Sequence, residues 1–178
     1  MSQVLNDAAE VLESALRNEQ EAHDILIHAR EAVDNPLARA TFDFLAGEEL
    51  KHMQAIKQFA ESLARHEEFD ADDLERLTSA EARSHIILIF ERFRTSFEAV
   101  GASDQPRLEI YEVAMDMERR GHDFYASAAR RAADEDARKL YEFLAAEEVK
   151  HFEIIQDTHD FLRQPDALLA IEERWMQI

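Results

Sequence analysis

Displaced by 99 residues, the sequence lies on itself. Without a gap, 15–64 pairs with 114–163, and sixteen of those fifty pairs are identical. Glu19, His23, Asp24, Glu48, Glu49, Lys51 and His52 recur as Glu118, His122, Asp123, Glu147, Glu148, Lys150 and His151. Self-similarity at a fixed offset means that one supersecondary unit occurs twice. Each copy carries apolar residues at the helical period, as in Leu12, Ala15, Ala22, Leu26 and Ala29. Only 3 Gly and 3 Pro occur among 178 residues, too little turn chemistry for many strands, and Ala, Leu, Glu and Arg are strong helix formers.

The expected fold is therefore all α. Helices are expected over about 2–33, 36–65, 106–132 and 135–162, with Asp34-Asn35-Pro36 ending the first and the proline opening the second. Between the copies, 66–105 reads as a long crossover. It holds a helix near 80–100 with the stripe Ile86, Ile89, Phe90, Phe93 and Phe97, and a break at 101–106. A short amphipathic tail, 164–178, expected as a C-terminal helix, includes Trp175. Two hairpins, 1–65 and 106–163, related by a pseudo-twofold and joined by that crossover, make a four-helix bundle in one domain, 1–178.

A net charge of −19 makes nucleic acid and anionic membranes poor partners, while 46% hydrophobic residues with 11 Phe argue for a real core. Zero Cys excludes disulfides, thiolate nucleophiles and Cys-ligated zinc or iron–sulfur sites. With no basic-then-apolar start and no apolar run longer than 86–90, no membrane association is expected, and a cytoplasmic location is.

The apolar stripes are interrupted at matching places. On the second helix the inward series is Leu45, Glu49, His52, Ile56, Phe59, Leu63; on the fourth it is Leu144, Glu148, His151, Ile155, Thr158, Leu162. The first helix places Glu19 in the stripe Leu12, Ala15, Ala22, Leu26, and the third places Glu118 among Tyr111, Met115, His122 and Tyr125. One uncompensated buried charge costs several kcal/mol, and two divalent cations would neutralise four carboxylates. In Glu-x-x-His the two side chains share a helix face, so both reach one metal while a facing Glu completes the site. Oxygen and nitrogen ligands without sulfur suit iron or manganese, and zinc would also bind.

The segments Asn18-Glu19-Gln20-Glu21-Ala22-His23-Asp24 and Phe44-Leu45-Ala46-Gly47-Glu48-Glu49-Leu50-Lys51-His52, with their repeats at 117–125 and 143–151, carry a resemblance. Over roughly 10–163 the chain resembles the rubrerythrin branch of the ferritin-like superfamily. The resemblance implies two iron ions, with Glu19 and Glu118 as terminal carboxylates, Glu49 and Glu148 bridging, and His52 and His151 capping one metal each. It also implies reduction of hydrogen peroxide or dioxygen through a diferrous/diferric cycle, while relatives oxidise ferrous iron for storage. Two features depart from the pattern. Rubrerythrins usually add a rubredoxin domain with four cysteines, so a chain without Cys needs an external electron donor. They also carry a further Glu one turn after the third-helix ligand, where this sequence has Gly121, which leaves six ligands and a site closer to ferritin-type ferroxidases.

Other residues compete for roles. Glu48 and Glu147 adjoin the ligand glutamates, at a heptad position expected to be less buried. His23 and His122 read as core or second-layer histidines bonded to a ligand carboxylate, with direct metal ligation as the alternative. Asp24 and Asp123 either orient a neighbouring histidine or face solvent. Tyr125, two turns after Glu118, is a candidate hydrogen-bond partner or oxidisable group, and Leu26 stands at its counterpart. The Phe90, Phe93, Phe97 stripe reads as core or a dimer face. His28, His66, His85 and His159 receive no role. The expectation is a di-iron peroxidase or oxidase, a homodimer or higher homo-oligomer, with Glu49, Glu148 and Tyr125 at the reacting centre. The alternatives are a ferroxidase or iron storage/delivery protein, and a structural metal-stabilised bundle.

Overall fold

The computed structural model describes residues 2–65, 67, 69, 74 and 108–163. The helix expected near 80–100 with its Phe90, Phe93, Phe97 stripe, the break at 101–106, and the tail from 164 lie outside the described residues, as do His66 and His85. Four helices form a ferritin-like bundle: α1 (Ser2–Ala32), α2 (Pro36–Arg65), α3 (Leu108–Arg131) and α4 (Glu135–Arg163), with no strand among the described residues. The ends agree with the periodicity to within two residues.

The hairpin turns repeat one device. Asn35 Oδ1 accepts from the backbone N–H of Leu37 (2.9 Å) and Ala38 (3.2 Å), capping α2, and Pro36 occupies the first helical position, where no N–H is needed. At the equivalent place Asp134 Oδ1 accepts from Ala137 N–H (2.8 Å) and caps α4. Capping stops α1 at Ala32, one residue before the expected end, because the chain must turn to present Asn35. Each connection is three residues long, so the helices of each hairpin run antiparallel.

The core has two apolar layers. One takes Leu26 and Ala29 from α1, Val33 from the turn after it, Leu37, Phe42 and Leu45 from α2, Tyr111 and Ala114 from α3, and Ile155 and Phe161 from α4. The other takes Leu12 and Ala15, then Ile56 and Phe59, then Tyr125 and Ala128, then Leu140 and Leu144. Each helix thus passes through both layers. The first layer joins the C-terminal half of α1 to the N-terminal halves of α2 and α3 and the C-terminal half of α4, which makes α1 antiparallel to α3 and α2 antiparallel to α4. Within the first layer Phe42 meets Tyr111 at a 5.3 Å ring separation. On the α2–α4 seam Thr158 donates to the Ile154 carbonyl (2.8 Å) and receives the Thr41 hydroxyl (3.2 Å), so neither buried hydroxyl is wasted. Between the layers the stripes carry Glu19, Glu49, His52, Glu118, Glu148 and His151. The fold therefore suspends one polar layer between two apolar ones.

Candidate metal centre

All six of those side chains are buried, none more than 3% exposed. His52 Nδ1 lies 3.2 Å from Glu19 Oε2, 3.2 Å from Glu49 Oε2 and 3.8 Å from Glu148 Oε1. His151 Nδ1 lies 2.9 Å from Glu49 Oε1, 3.8 Å from Glu118 Oε2 and 4.0 Å from Glu148 Oε2. The two imidazoles stack, with centroids 5.1 Å apart and planes 11° from parallel. Potential ligand atoms within 4.8 Å of one another form two groups of four, Glu19–Glu49–His52–Glu148 and Glu49–Glu118–Glu148–His151, and one of three, Glu49–His52–His151. Glu49 and Glu148 belong to both groups of four. Glu19 and Glu118 belong to one group each, while the two histidines also meet across Glu49.

The contacts are close but poorly satisfied. Glu49 Oε1 and His151 Nδ1 are 2.9 Å apart, yet both lack a properly directed hydrogen bond, and neither oxygen of Glu118 finds a donor. Buried polar atoms are otherwise almost always bonded. Several lone pairs converging without protons between them suit a shared cation, and an oxygen-and-imidazole donor set matches iron, manganese or zinc. On that chemistry the six residues fit a dinuclear metal centre.

The electrostatics show the strain of the same groups without metal. Burial pushes the Glu19 carboxyl up to about 7, helped by bonding to and repulsion from Glu49. Burial, then the charge of Glu49, holds Glu118 and Glu148 well above the carboxylate range. Burial opposes ionisation of Glu49 too, but bonding to Glu19 and the charges of His151 and His52 overcome it and hold Glu49 well below. Burial would also lower both imidazoles, but Glu49 and its neighbours win: His52 is held well above its usual value and His151 rises to about 9. The four carboxyls thus set up a negative potential that bound protons relieve and that metal cations would relieve in their place.

A family model described as Rubrerythrin matches residues 10–159. The chain belongs to the rubrerythrin family. No curated protein and no solved structure matches it. Rubrerythrins are ferritin-like di-iron proteins, and the polar layer between the two apolar ones is where this member brings its candidate metal-binding groups together.

Around the rubrerythrin-type layer, Tyr125 is fully buried and its hydroxyl donates to Glu19 Oε1, in the other hairpin from its own. Burial and the Glu19 charge hold its phenol well above the usual range. Tyr141 was not singled out by sequence. It stacks on Tyr125 with ring centroids 6.4 Å apart and planes 20° from parallel. Its only sequence signal is a Phe42-to-Tyr141 change between the repeats.

Two expectations are corrected. Glu48 and Glu147 are as buried as the ligand candidates, at 2% and 4% exposed, rather than less buried. Their carboxylates stay out of the clustered groups because Lys51 (2.7 Å from Glu48) and Lys150 pair with them from the bundle edge, the lysine stems reaching back over apolar surface. His23 and His122 bond no ligand carboxylate. His23 Nδ1 is 3.0 Å from Asp24 and His122 Nδ1 is 3.2 Å from Asp123, both pairs at the bundle surface. A fourth residue along a helix is rotated about 40° from the first, which carries these rings off the stripe. Asp24, fully exposed, is held below the carboxylate range by bonds from His23 and Gln20.

A cavity of about 160 Å³ opens between α1 and α3 and reaches Glu19, Glu118 and Glu148, with Ala22, Met117 and Gly121 along its walls and Asn18, Glu21 and Arg120 also lining it. Among the described residues, no helix is long and apolar enough to cross a membrane.

Proposed function

We propose that the chain is a non-haem di-iron oxidoreductase that reduces hydrogen peroxide or dioxygen. In this reading Glu19 and His52 hold one iron, Glu118 and His151 the other, and Glu49 and Glu148 are shared, with manganese or zinc as possible occupants. When bound, the metal pair would supply two electrons by passing from diferrous to diferric, and with two protons they convert one hydrogen peroxide to two waters. Tyr125 keeps its proton at Oη toward Glu19 Oε1 and so fixes the orientation of that carboxylate. The two apolar layers keep water from the ends of the site. The cavity between α1 and α3 brings a small oxidant to Glu118 and Glu148.

The observation that supports this reading is the set of six buried, converging ionisable groups, several of whose oxygen and nitrogen atoms find no hydrogen-bond partner. Recovering the diferrous state requires an external electron donor, because this chain has no cysteine to hold a separate rubredoxin-type iron. We place the protein in the cytoplasm as a homodimer or higher homo-oligomer, with 1–178 folding as one domain. The test is anaerobic ferrous loading followed by stopped-flow absorbance with peroxide or air. About two irons per chain and faster oxidation by peroxide support it, and fewer than two irons per chain ends it. A second reading, ferroxidase activity with ferrous iron as substrate, is favoured by Gly121, which adds no seventh carboxylate. Repeated rounds of ferrous addition distinguish them: a ferroxidase accumulates ferric product beyond two per chain, while a peroxidase stops and waits for its donor.

A further inference from the structure

Gly121 stands out on steric grounds. It lies in the interior of α3, where glycine is less favourable than alanine, in a chain that uses glycine three times. The equivalent residue of the first hairpin, Ala22, carries a Cβ. A Cβ built on Gly121 would stand 3.1 Å from Cδ of Glu148, 3.3 Å from its Cγ and 3.3 Å from its Oε2. A Cβ on Gly47, by contrast, would meet nothing within 4 Å. The Glu148 side chain, which belongs to both ligand groups, therefore packs directly against the α3 backbone at one point. That same point is a wall of the cavity between α1 and α3. Widening or narrowing there changes two things together: where the Glu148 carboxylate stands, and what can reach it.

We propose that Gly121 is a positioning and specificity-determining residue, whose missing Cβ lets Glu148 occupy its place among the clustered ligands and keeps the cleft between α1 and α3 open to a small hydroperoxide. The inference rests on the di-iron reading above. The cleft is comparable in size to an engineered protein cavity that holds benzene, so a short organic hydroperoxide fits as well as hydrogen peroxide. Its walls at Ala22, Met117 and Gly121 offer apolar contact to an alkyl group. Four glutamates, Glu19, Glu21, Glu118 and Glu148, against the single Arg120 in its lining, and a net charge of −19, favour neutral oxidants over anions.

Two substitutions separate the two effects. Gly121→Ala places a methyl against Glu148, and Ala22→Gly enlarges the cleft from the facing wall without touching Glu148. Calorimetric titration of the apoprotein with Zn²⁺, a redox-inert probe, reads the positioning effect. Wild type and A22G are expected to bind two ions with similar affinity. G121A is expected to bind about tenfold or more weakly, as losses of ligand support usually do, with an unaltered helical circular dichroism spectrum showing that it has folded. Steady-state rates with hydrogen peroxide and with tert-butyl hydroperoxide read the selectivity: G121A should lower the bulky-to-small ratio of kcat/KM and A22G should raise it. If wild type binds fewer than two metals, the di-iron reading fails. If wild type binds two while G121A matches it in zinc affinity and in the peroxide ratio, that reading stands and the role of Gly121 is overturned.

Discussion

The two hairpins present the same ligand letters in different settings. Glu19 of the first is tied down from two sides, by the Tyr125 hydroxyl and by His52, whereas its counterpart Glu118 has no donor on either oxygen. Glu49 sits between both imidazoles, 2.9 Å and 3.2 Å away, and is held ionised; Glu148 is no closer than 3.8 Å to either, is pushed toward its neutral form, and borders the cavity. Two small differences between the repeats accompany this asymmetry. Leu26 has no hydroxyl to offer where the second copy has Tyr125, and Ala22 has a methyl where the second copy has Gly121. A duplicated framework thus keeps its ligand set while one side becomes braced and the other open.

If that contrast is real, the two shared carboxylates differ in weight. Glu49→Gln should cost the most, because it removes the negative charge both imidazoles face. Metal content measured by plasma emission is expected to fall below one ion per chain, with Glu148→Gln retaining more. Equal losses would mean that the halves are equivalent after all.

The next largest effect is on pH dependence. In the metal-free protein Glu19 is raised from 4.5 to about 7 and His151 from 6.5 to about 9. A raised folded-state value gives stability that is complete below the unfolded value and disappears as pH passes the folded one. The Glu19 part is therefore lost between about pH 4.5 and 7, and the His151 part between about 6.5 and 9. Glu49, held low, contributes fully above its ordinary value and stays constant over this window. The apoprotein should lose stability on the order of a few kcal/mol from pH 5 to pH 9, and its Tm should fall accordingly. With metal bound the slope should reverse, because ligation displaces protons and strengthens as pH rises. Differential scanning calorimetry on both forms checks the pair of slopes, and an apo Tm that rises with pH contradicts the excess negative potential.

Smaller still is Tyr125→Phe, which removes the donor to Glu19 and makes the braced side resemble the open one. A hydrogen bond to a charged group contributes about 1.5–3 kcal/mol, so apoprotein stability in urea should drop by that order while the fold persists. The smallest effect is expected from His122→Ala. Its bond to Asp123 is at the surface, and a change within about 0.5 kcal/mol is expected, with metal content unaltered.

Much of this arrangement is legible along the chain. Helix ends followed from Pro36 and the capping Asn35, and all six clustered side chains were visible as polar interruptions of an apolar stripe. The same periodicity placed Glu48 and Glu147 outside the core, and burial overturned that, because lysine stems three residues on cover them. It placed His23 and His122 beside ligand carboxylates, and a 40° turn of the helix put them at the surface instead. Neither the Tyr125–Glu19 bond nor the stacking of Tyr141 on Tyr125 has a spacing rule, since each joins two different helices.

Residue order settles what repeats with the helical turn in the four described helices: where each runs, the stripe it buries, and the level at which charge enters the core. Which oxygen lacks a donor, which carboxylate stands between the imidazoles, and why a missing methyl matters at Gly121 depend on how four helices meet. Those are distances of a few ångströms between groups more than a hundred residues apart in several cases, and no periodicity along one chain encodes them.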